Sequence, residues 1–272
     1  MMGYARVCTA FVLAWLAWLA GCSTTSTTTS GPVSELRPPP SAQAEDPDPD
    51  RRARTRLELA AAYFANNQPE VALPEANRAI AANPNLAPGY NLRGLINAAL
   101  GKDDAAESDF RRALAINPRD ADALQNYGWY LCQHNRHEEA NAQFAQALAL
   151  PQRRESARTW LAQGVCHARA GRLEDAEKAL QRSYQMEPGN PSTSVNLAEV
   201  LLRRGEAERA RFHIRRVNAN VNFVSAQTLW LAVRIERRMG NSAGVQEFGQ
   251  QLLNRFPETR EAVAFQRGQF DE

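Results

Sequence analysis

The chain has 272 residues, of which 44% are hydrophobic and 23% charged, a globular mixture that excludes wholesale disorder. Thirty-two Lys and Arg against 30 Asp and Glu leave a formal charge of +2, so electrostatics give no reason to expect nucleic acid as a partner. Four cysteines are too few for a disulfide scaffold, and beyond the N-terminus no apolar run reaches the ~18 residues of a membrane-spanning helix.

Residues 1–21 read as an export signal. Arg6 supplies a positive start, and Phe11 to Ala20 is an apolar run carrying Trp15 and Trp18, of signal-peptide length and too short to cross a bilayer. The run closes on Leu19-Ala20-Gly21-Cys22, followed by Ser23. This resembles the bacterial lipoprotein signal, in which small residues precede a Cys that is acylated and becomes the mature N-terminus. An ordinary secretory signal with a chance Cys is the other reading. The resemblance implies lipidation at Cys22, and Ser23 in place of Asp implies sorting to the outer membrane. Acyl chains contribute ~0.8 kcal/mol per buried methylene, and two or more hold a protein stably at a bilayer.

Residues 22–50 read as the lipidated end and a disordered tether. Ser23 to Ser30 holds only Ser and Thr, and Pro38-Pro39-Pro40 and Asp46-Pro47-Asp48-Pro49-Asp50 follow. Nothing there buries enough apolar surface to offset the entropy of ordering. A flexible coil of this length reaches roughly 30 Å, more where proline stiffens it.

From residue 51 to 272 the chain reads as one repeat domain. Ala-rich helical stretches end at Pro84, Pro118 and Pro188, which suggests a period. Units starting at Ala53, Ala87, Ala121, Ala157, Pro191 and Ala226 are spaced by 34, 34, 36, 34 and 35 residues, giving units at 53–86, 87–120, 121–156, 157–190, 191–225 and 226–259, then a C-terminal tail. In the clearest unit, Tyr90, Gly94, Gly101 and Ala106 occupy positions 4, 8, 15 and 20, and Phe110, Ala113 and Pro118 occupy positions 24, 27 and 32. This resembles the tetratricopeptide repeat, a pair of antiparallel helices, and implies an all-α, right-handed superhelical solenoid of about six repeats.

Each residue type has a physical task. Small residues at positions 8 and 20 let the paired helices approach, and the large residue at 24 fills the space between them. Proline at 32 cannot continue the second helix. The two extra residues before the fourth unit are expected in Pro151-Gln152-Arg153-Arg154. The sixth unit is degenerate, with Val245 and Gly249 in place of the usual small and large residues, as a capping repeat should be.

A solenoid offers a concave groove, into which positions 2, 5, 9, 12 and 13 of each first helix are expected to point. Position 9 reads Ala61, Leu95, Trp129, Val165 and Glu199, position 12 reads Phe64, Ala98, Cys132, Ala168 and Leu202, and position 5 includes Leu161 and Val195. An apolar stripe of this kind marks an interaction site. The competing reading is that position 9 only packs against the adjacent helix. Phe64, Leu95, Trp129, Leu161 and Val165 are the candidate groove residues, with Trp129 the expected anchor.

Catalytic constellations are weak. Cys132, His134 and His137 have a spacing that metal ligands can have, but only three candidates are present, and exposed loop histidines are the simpler reading. Glu138-Glu139 beside them reads as a solvated acidic pair. His167 and His213 stand alone on helices, and no phosphate loop, dinucleotide fingerprint or nucleophile motif occurs. No enzyme activity, cofactor, metal or small-molecule substrate is expected. Cys132 and Cys166 lie on the first helices of adjacent repeats, where a disulfide is allowed, although spacing alone does not place their Cβ atoms.

A lipoprotein signal, a polar tether and about six repeats together resemble the type IV pilus biogenesis/stability lipoproteins, the pilotins of the pilus secretin. The likeness is strongest over Asn126-Tyr127-Gly128-Trp129-Tyr130-Leu131 with Arg136-His137-Glu138-Glu139-Ala140, at Arg158-Thr159-Trp160, and from Ala226-Gln227-Thr228-Leu229-Trp230 to Arg255-Phe256-Pro257. His137, where that family usually has an aromatic residue, is a departure. The resemblance implies a non-catalytic protein at the outer membrane, facing the periplasm, that binds secretin subunits and promotes their placement and multimerisation. A scaffold lipoprotein of another envelope machine, such as β-barrel assembly or polysaccharide export, is the alternative.

Overall fold

The computed structural model describes residues 48–151 and 156–270. The signal, Cys22 and the tether through residue 47 lie outside the described residues, as does most of the connection expected to hold the two extra residues. Among the described residues there are thirteen α-helices and no strand. Twelve pair in chain order: α1 (Pro49–Ala65) with α2 (Pro69–Ala82), α3 (Ala87–Ala99) with α4 (Asp103–Ile116), and α5 (Ala121–Gln133) with α6 (His137–Ala149). Then follow α7 (Ala157–Arg169) with α8 (Leu173–Met186), α9 (Pro191–Arg203) with α10 (Ala207–Asn218), and α11 (Ala226–Arg238) with α12 (Ser242–Arg255). Each pair then packs against the next, as in a solenoid.

Five of the six expected unit starts coincide with the first residue of α3, α5, α7, α9 and α11. The first does not. Helix α1 opens at Pro49, inside the stretch read as tether, because three local features make that stretch a good helix opening. The Asp48 side chain accepts a hydrogen bond from the Asp50 N–H at 3.0 Å, Pro49 has the φ of a first helical residue, and Asp50 complements the helix dipole.

All six turns within pairs use a residue in the left-handed region at position 15: Asn67, Gly101, Asn135, Gly171, Gly205 and Gly240, with φ between 56° and 83°. A Cβ at any of these four glycines would meet nothing within 4 Å, so the requirement is conformational. Glycine and asparagine tolerate it best.

Packing of the paired helices turns on positions 8 and 24. A Cβ added to Gly94 or Gly128 would lie 2.9 Å from the ring of Phe110 or Phe144, and one on Gly164 would lie 2.6 Å from Leu180. Those three large partners are completely buried. The sixth pair inverts the arrangement, with buried Val233 at position 8 and Gly249 at position 24. The missing bulk comes from residues expected to be tail. They form α13 (Arg260–Arg267), whose Phe265 ring occupies the space a side chain at position 249 would need. Thr259 caps this helix by accepting from the Ala262 N–H at 3.4 Å, and Gly268 ends it with φ 66°.

Candidate partner-binding groove

Phe64 on α1, Leu95 on α3, Trp129 on α5, and Leu161 and Val165 on α7 line one hollow of about 490 Å³. They come from four successive repeats, and the stacking of first helices brings them to one wall. Each is half-buried: part of the side chain rests on the core beneath and the rest faces the hollow. Position 9 therefore does both things considered for it, packing against its neighbours and lining the groove.

Polar groups frame the hollow, and two of them are held by partners outside its lining. Asn126 donates to Asn91 Oδ1 at 3.2 Å, and Gln125 Oε1 accepts from the Thr159 hydroxyl at 2.6 Å. The guanidinium of Arg169 lies 5.2 Å from the centre of the Trp129 ring, a cation–π arrangement that orients the ring.

The expected apolar stripe at position 12 is broken at Cys132. This residue is fully buried and bonded to Cys166, with the two Cα atoms 5.8 Å apart, so it ties α5 to α7 instead of facing the groove. The candidate ligand run around it also divides. His134 turns away, with Nε2 3.1 Å from Asp103 and Nδ1 2.8 Å from the Tyr130 carbonyl oxygen. His137 turns inward, with Nδ1 3.7 Å from Cys166 Sγ and 4.0 Å from Cys132 Sγ. Both sulfurs are committed to the disulfide, so this trio does not offer the thiolates a metal ion would require. Glu138 and Glu139 are exposed as expected, yet each is paired, with Arg172 and Arg136 at 2.6 Å.

His167 and His213 are held below their usual pKa, first by burial and then by Arg172 for the former and Arg209 and Arg216 for the latter. His213 sits edge-on to Tyr184 at 4.8 Å and to Phe212 at 5.1 Å, a packing environment and not a reacting one.

Beyond the hollow the groove changes character. A second hollow of about 620 Å³ is lined by Leu202 and Arg203 of α9, Arg234, Arg237 and Arg238 of α11, and Phe270. These arginines lie outside the apolar stripe, which on position 9 ends at Glu199. Their signal was present, since Arg234, Arg237 and Arg238 occupy positions 9, 12 and 13 of the sixth unit.

Buried charge fastens the same end. Glu236, at position 11, is 1% exposed and accepts from Arg211 Nε at 2.9 Å, Arg215 Nη2 at 2.8 Å and Asn241 Nδ2 at 2.6 Å. Burial pushes its carboxyl pKa upward, but Arg215, Asn241 and Arg211 outweigh that and the net shift is downward. Glu236 is therefore a fully satisfied ion.

Models of the tetratricopeptide repeat match residues 57–121, 127–191 and 167–227. Comparison with curated protein sequences gives no significant match. Among solved structures, PilW, described as a widely conserved type IV pilus biogenesis factor, is 29% identical, with a TM-score of 0.74 over 78% of this chain and 97% of that one. PilF of Pseudomonas aeruginosa is 22% identical, with a TM-score of 0.72 over 81% and 99%, and shares the fold. A repeat protein of Parabacteroides merdae also shares the fold, at 16% identity and a TM-score of 0.59 over 80% and 84%. With helix pairs on the repeat period and matches spanning more than half its length, the chain belongs to the tetratricopeptide repeat proteins.

Proposed function

We propose that this chain is a non-catalytic outer-membrane lipoprotein of type IV pilus biogenesis that binds secretin subunits and promotes their localisation and multimerisation. The observation that carries this reading is the apolar hollow around Trp129, on a chain similar to PilW along nearly all of that protein's length. Half-buried Phe64, Leu95, Trp129, Leu161 and Val165 offer apolar surface without filling the space in front of it, which suits an amphipathic segment laid into a groove.

The mechanism is escort. Acyl chains on Cys22 hold the protein at the inner leaflet of the outer membrane, and the tether lets the repeats reach subunits in the periplasm. Confinement raises the local concentration of bound subunits, which favours ring assembly with no chemical step. The hollow shields apolar segments of a subunit until they insert.

The test is capture in living cells. A photo-crosslinking amino acid at position 129 should trap the pilus secretin, and Trp129→Ala should reduce secretin multimers while helicity by circular dichroism is unchanged. Capture of a β-barrel-assembly or polysaccharide-export component instead would transfer the protein to another envelope machine. Cys22→Ala should release the protein from the membrane and lower secretin assembly, and normal assembly in that variant would remove the anchor from the mechanism.

A further inference from the structure

The arginine-lined hollow rests on the same wall as the Trp129 hollow, and its composition follows a gradient. Position 13 reads Ala65, Ala99, Gln133, Arg169, Arg203 and Arg238 from the first unit to the sixth. Arg169 stands between the two regions, over the Trp129 ring. Beyond it, four guanidinium groups face one hollow, and Glu199, 3.2 Å from Arg234, is the carboxylate paired with one of them.

The other three arginines are held without a carboxylate among the described residues. Arg203 donates to the Ala168 carbonyl oxygen at 3.0 Å. Arg237 stacks on Phe270 with its guanidinium carbon 4.1 Å from the ring centre, and Phe270 in turn stacks on Trp230 at 5.7 Å. Arg238 is exposed, with no hydrogen bond or ion pair among the described residues. Stacking fixes the plane of Arg237 while leaving its N–H groups free to donate.

Stabilisation of helix ends does not explain the cluster. Arg203, Arg237 and Arg238 lie in last turns, where a cation complements the helix dipole. Yet α1 to α6 carry no basic residue in their last turns and form equally well. Gathering like charges in one concavity costs repulsion and focuses positive potential there.

We infer that this end of the groove is a carboxylate-reading subsite, taking the Asp or Glu side chains of the protein segment whose apolar residues occupy the Trp129 hollow. The inference rests on the proposed groove function and deepens it: the partner segment is apolar at one end and acidic at the other. Guanidinium groups bind carboxylates through paired, charge-assisted hydrogen bonds. A layer of anionic lipid headgroups is the weaker candidate, because a concave wall does not lie against a flat sheet. The exposed apolar side chains Phe212, Val221 and Phe223 are on α10 and the connection after it, and none of them lines this hollow.

The test uses the full chain in cells with a photo-crosslinking amino acid at position 129 or, separately, at position 238. Both positions should trap the same polypeptide, and the segment trapped at 238 should be rich in Asp and Glu. Arg237→Glu with Arg238→Glu should lower capture at 129 by about tenfold, the effect of losing one good charge pair. Arg238→Gln should give a smaller loss, and melting curves of both variants should match the parent. Capture at 129 with none at 238, or capture there of a segment lacking acidic residues, overturns the inference and leaves the groove reading standing. Failure of capture at both positions sinks the groove reading itself. Arginine-dependent binding of the purified chain to phosphatidylglycerol vesicles, with no protein trapped at 238, assigns the site to a membrane and overturns the inference.

Discussion

The two ends of the groove use the same positions of the same repeat and make opposite surfaces from them. Repeats one to four present Phe64, Leu95, Trp129 and Val165, backed by a core of Phe110, Phe144 and Leu180 against glycines and by the Cys132–Cys166 bridge. Repeats five and six present Arg203, Arg234, Arg237 and Arg238, backed by the buried carboxylate Glu236 and by Phe265 in the place of a missing side chain. A solenoid permits this because stability is a sum of local interfaces. The tightest contacts within each pair fall at positions 8 and 24, while the residues lining the groove at positions 9 and 12 keep part of their side chains toward it, so one wall changes chemistry along its length without a change of fold.

Breaking the staple of the apolar half should have the largest effect. The bridge closes a loop of 34 residues, and its loss through Cys132→Ser with Cys166→Ser should cost roughly 4 kcal/mol by the chain-entropy relation. The melting temperature should fall by about 10 °C, and a reductant should reproduce the shift in the parent chain but not in the variant. An unchanged melt on reduction would show that core packing alone holds α5 to α7.

Glu236→Ala tests the cationic half in the same way. It strands Arg211 and Arg215, which keep partial solvent access, so the cost should be about 3 kcal/mol, at the lower end for a broken buried pair. Hydrogen exchange should rise first in α11 and α12 while α3 to α6 stay protected, and uniform loss of protection would show that the two halves fold as one unit.

A paired glycine substitution sharpens the contrast between an internal interface and a terminal one. Gly128→Ala places a methyl group 2.9 Å from the Phe144 ring and 3.2 Å from the Ala140 carbonyl oxygen, which should cost about 2 kcal/mol in a filled core. Gly249→Ala meets first the ring of Phe265 from α13. It should undock that helix, seen as early proteolysis near residue 260, and scarcely move the main melt.

Acid titration should give the smallest effect, and it bears on both halves. His167 and His213 have folded pKa values below the ordinary one, so the unfolded chain takes up protons at higher pH than the folded chain. Stability should be complete above about pH 6.5 and fall as pH drops from there toward the folded values. His167→Gln and His213→Gln should each flatten that slope in urea midpoints measured across the range.

Much of this architecture was legible from residue types alone. The period, the five helix starts from Ala87 to Ala226 and the glycines opposite Phe110, Phe144 and Leu180 all follow from contacts within one 34-residue unit. Two features depend on capping and not on composition: Asp48-Pro49-Asp50 opens α1 at the end of the stretch read as tether, and the tail that begins after Thr259 is itself helical. The five groove residues were chosen on position in the repeat, and they share one hollow. The arginines at positions 9, 12 and 13 of the last unit break the apolar pattern that those five residues share.

By itself, then, the sequence determined an all-helical stack of pairs, its period and its turns, because backbone propensity and short-range sterics act over a few residues. Only the tertiary structure decided which groups from different repeats meet. Cys132 found Cys166 instead of His134, Phe265 came to rest on Gly249, and arginines from α9 and α11 gathered around Phe270. Those encounters depend on the small rotation of each helix pair against the next. That rotation is set by the packed interface between pairs and does not show in the pattern of any single repeat.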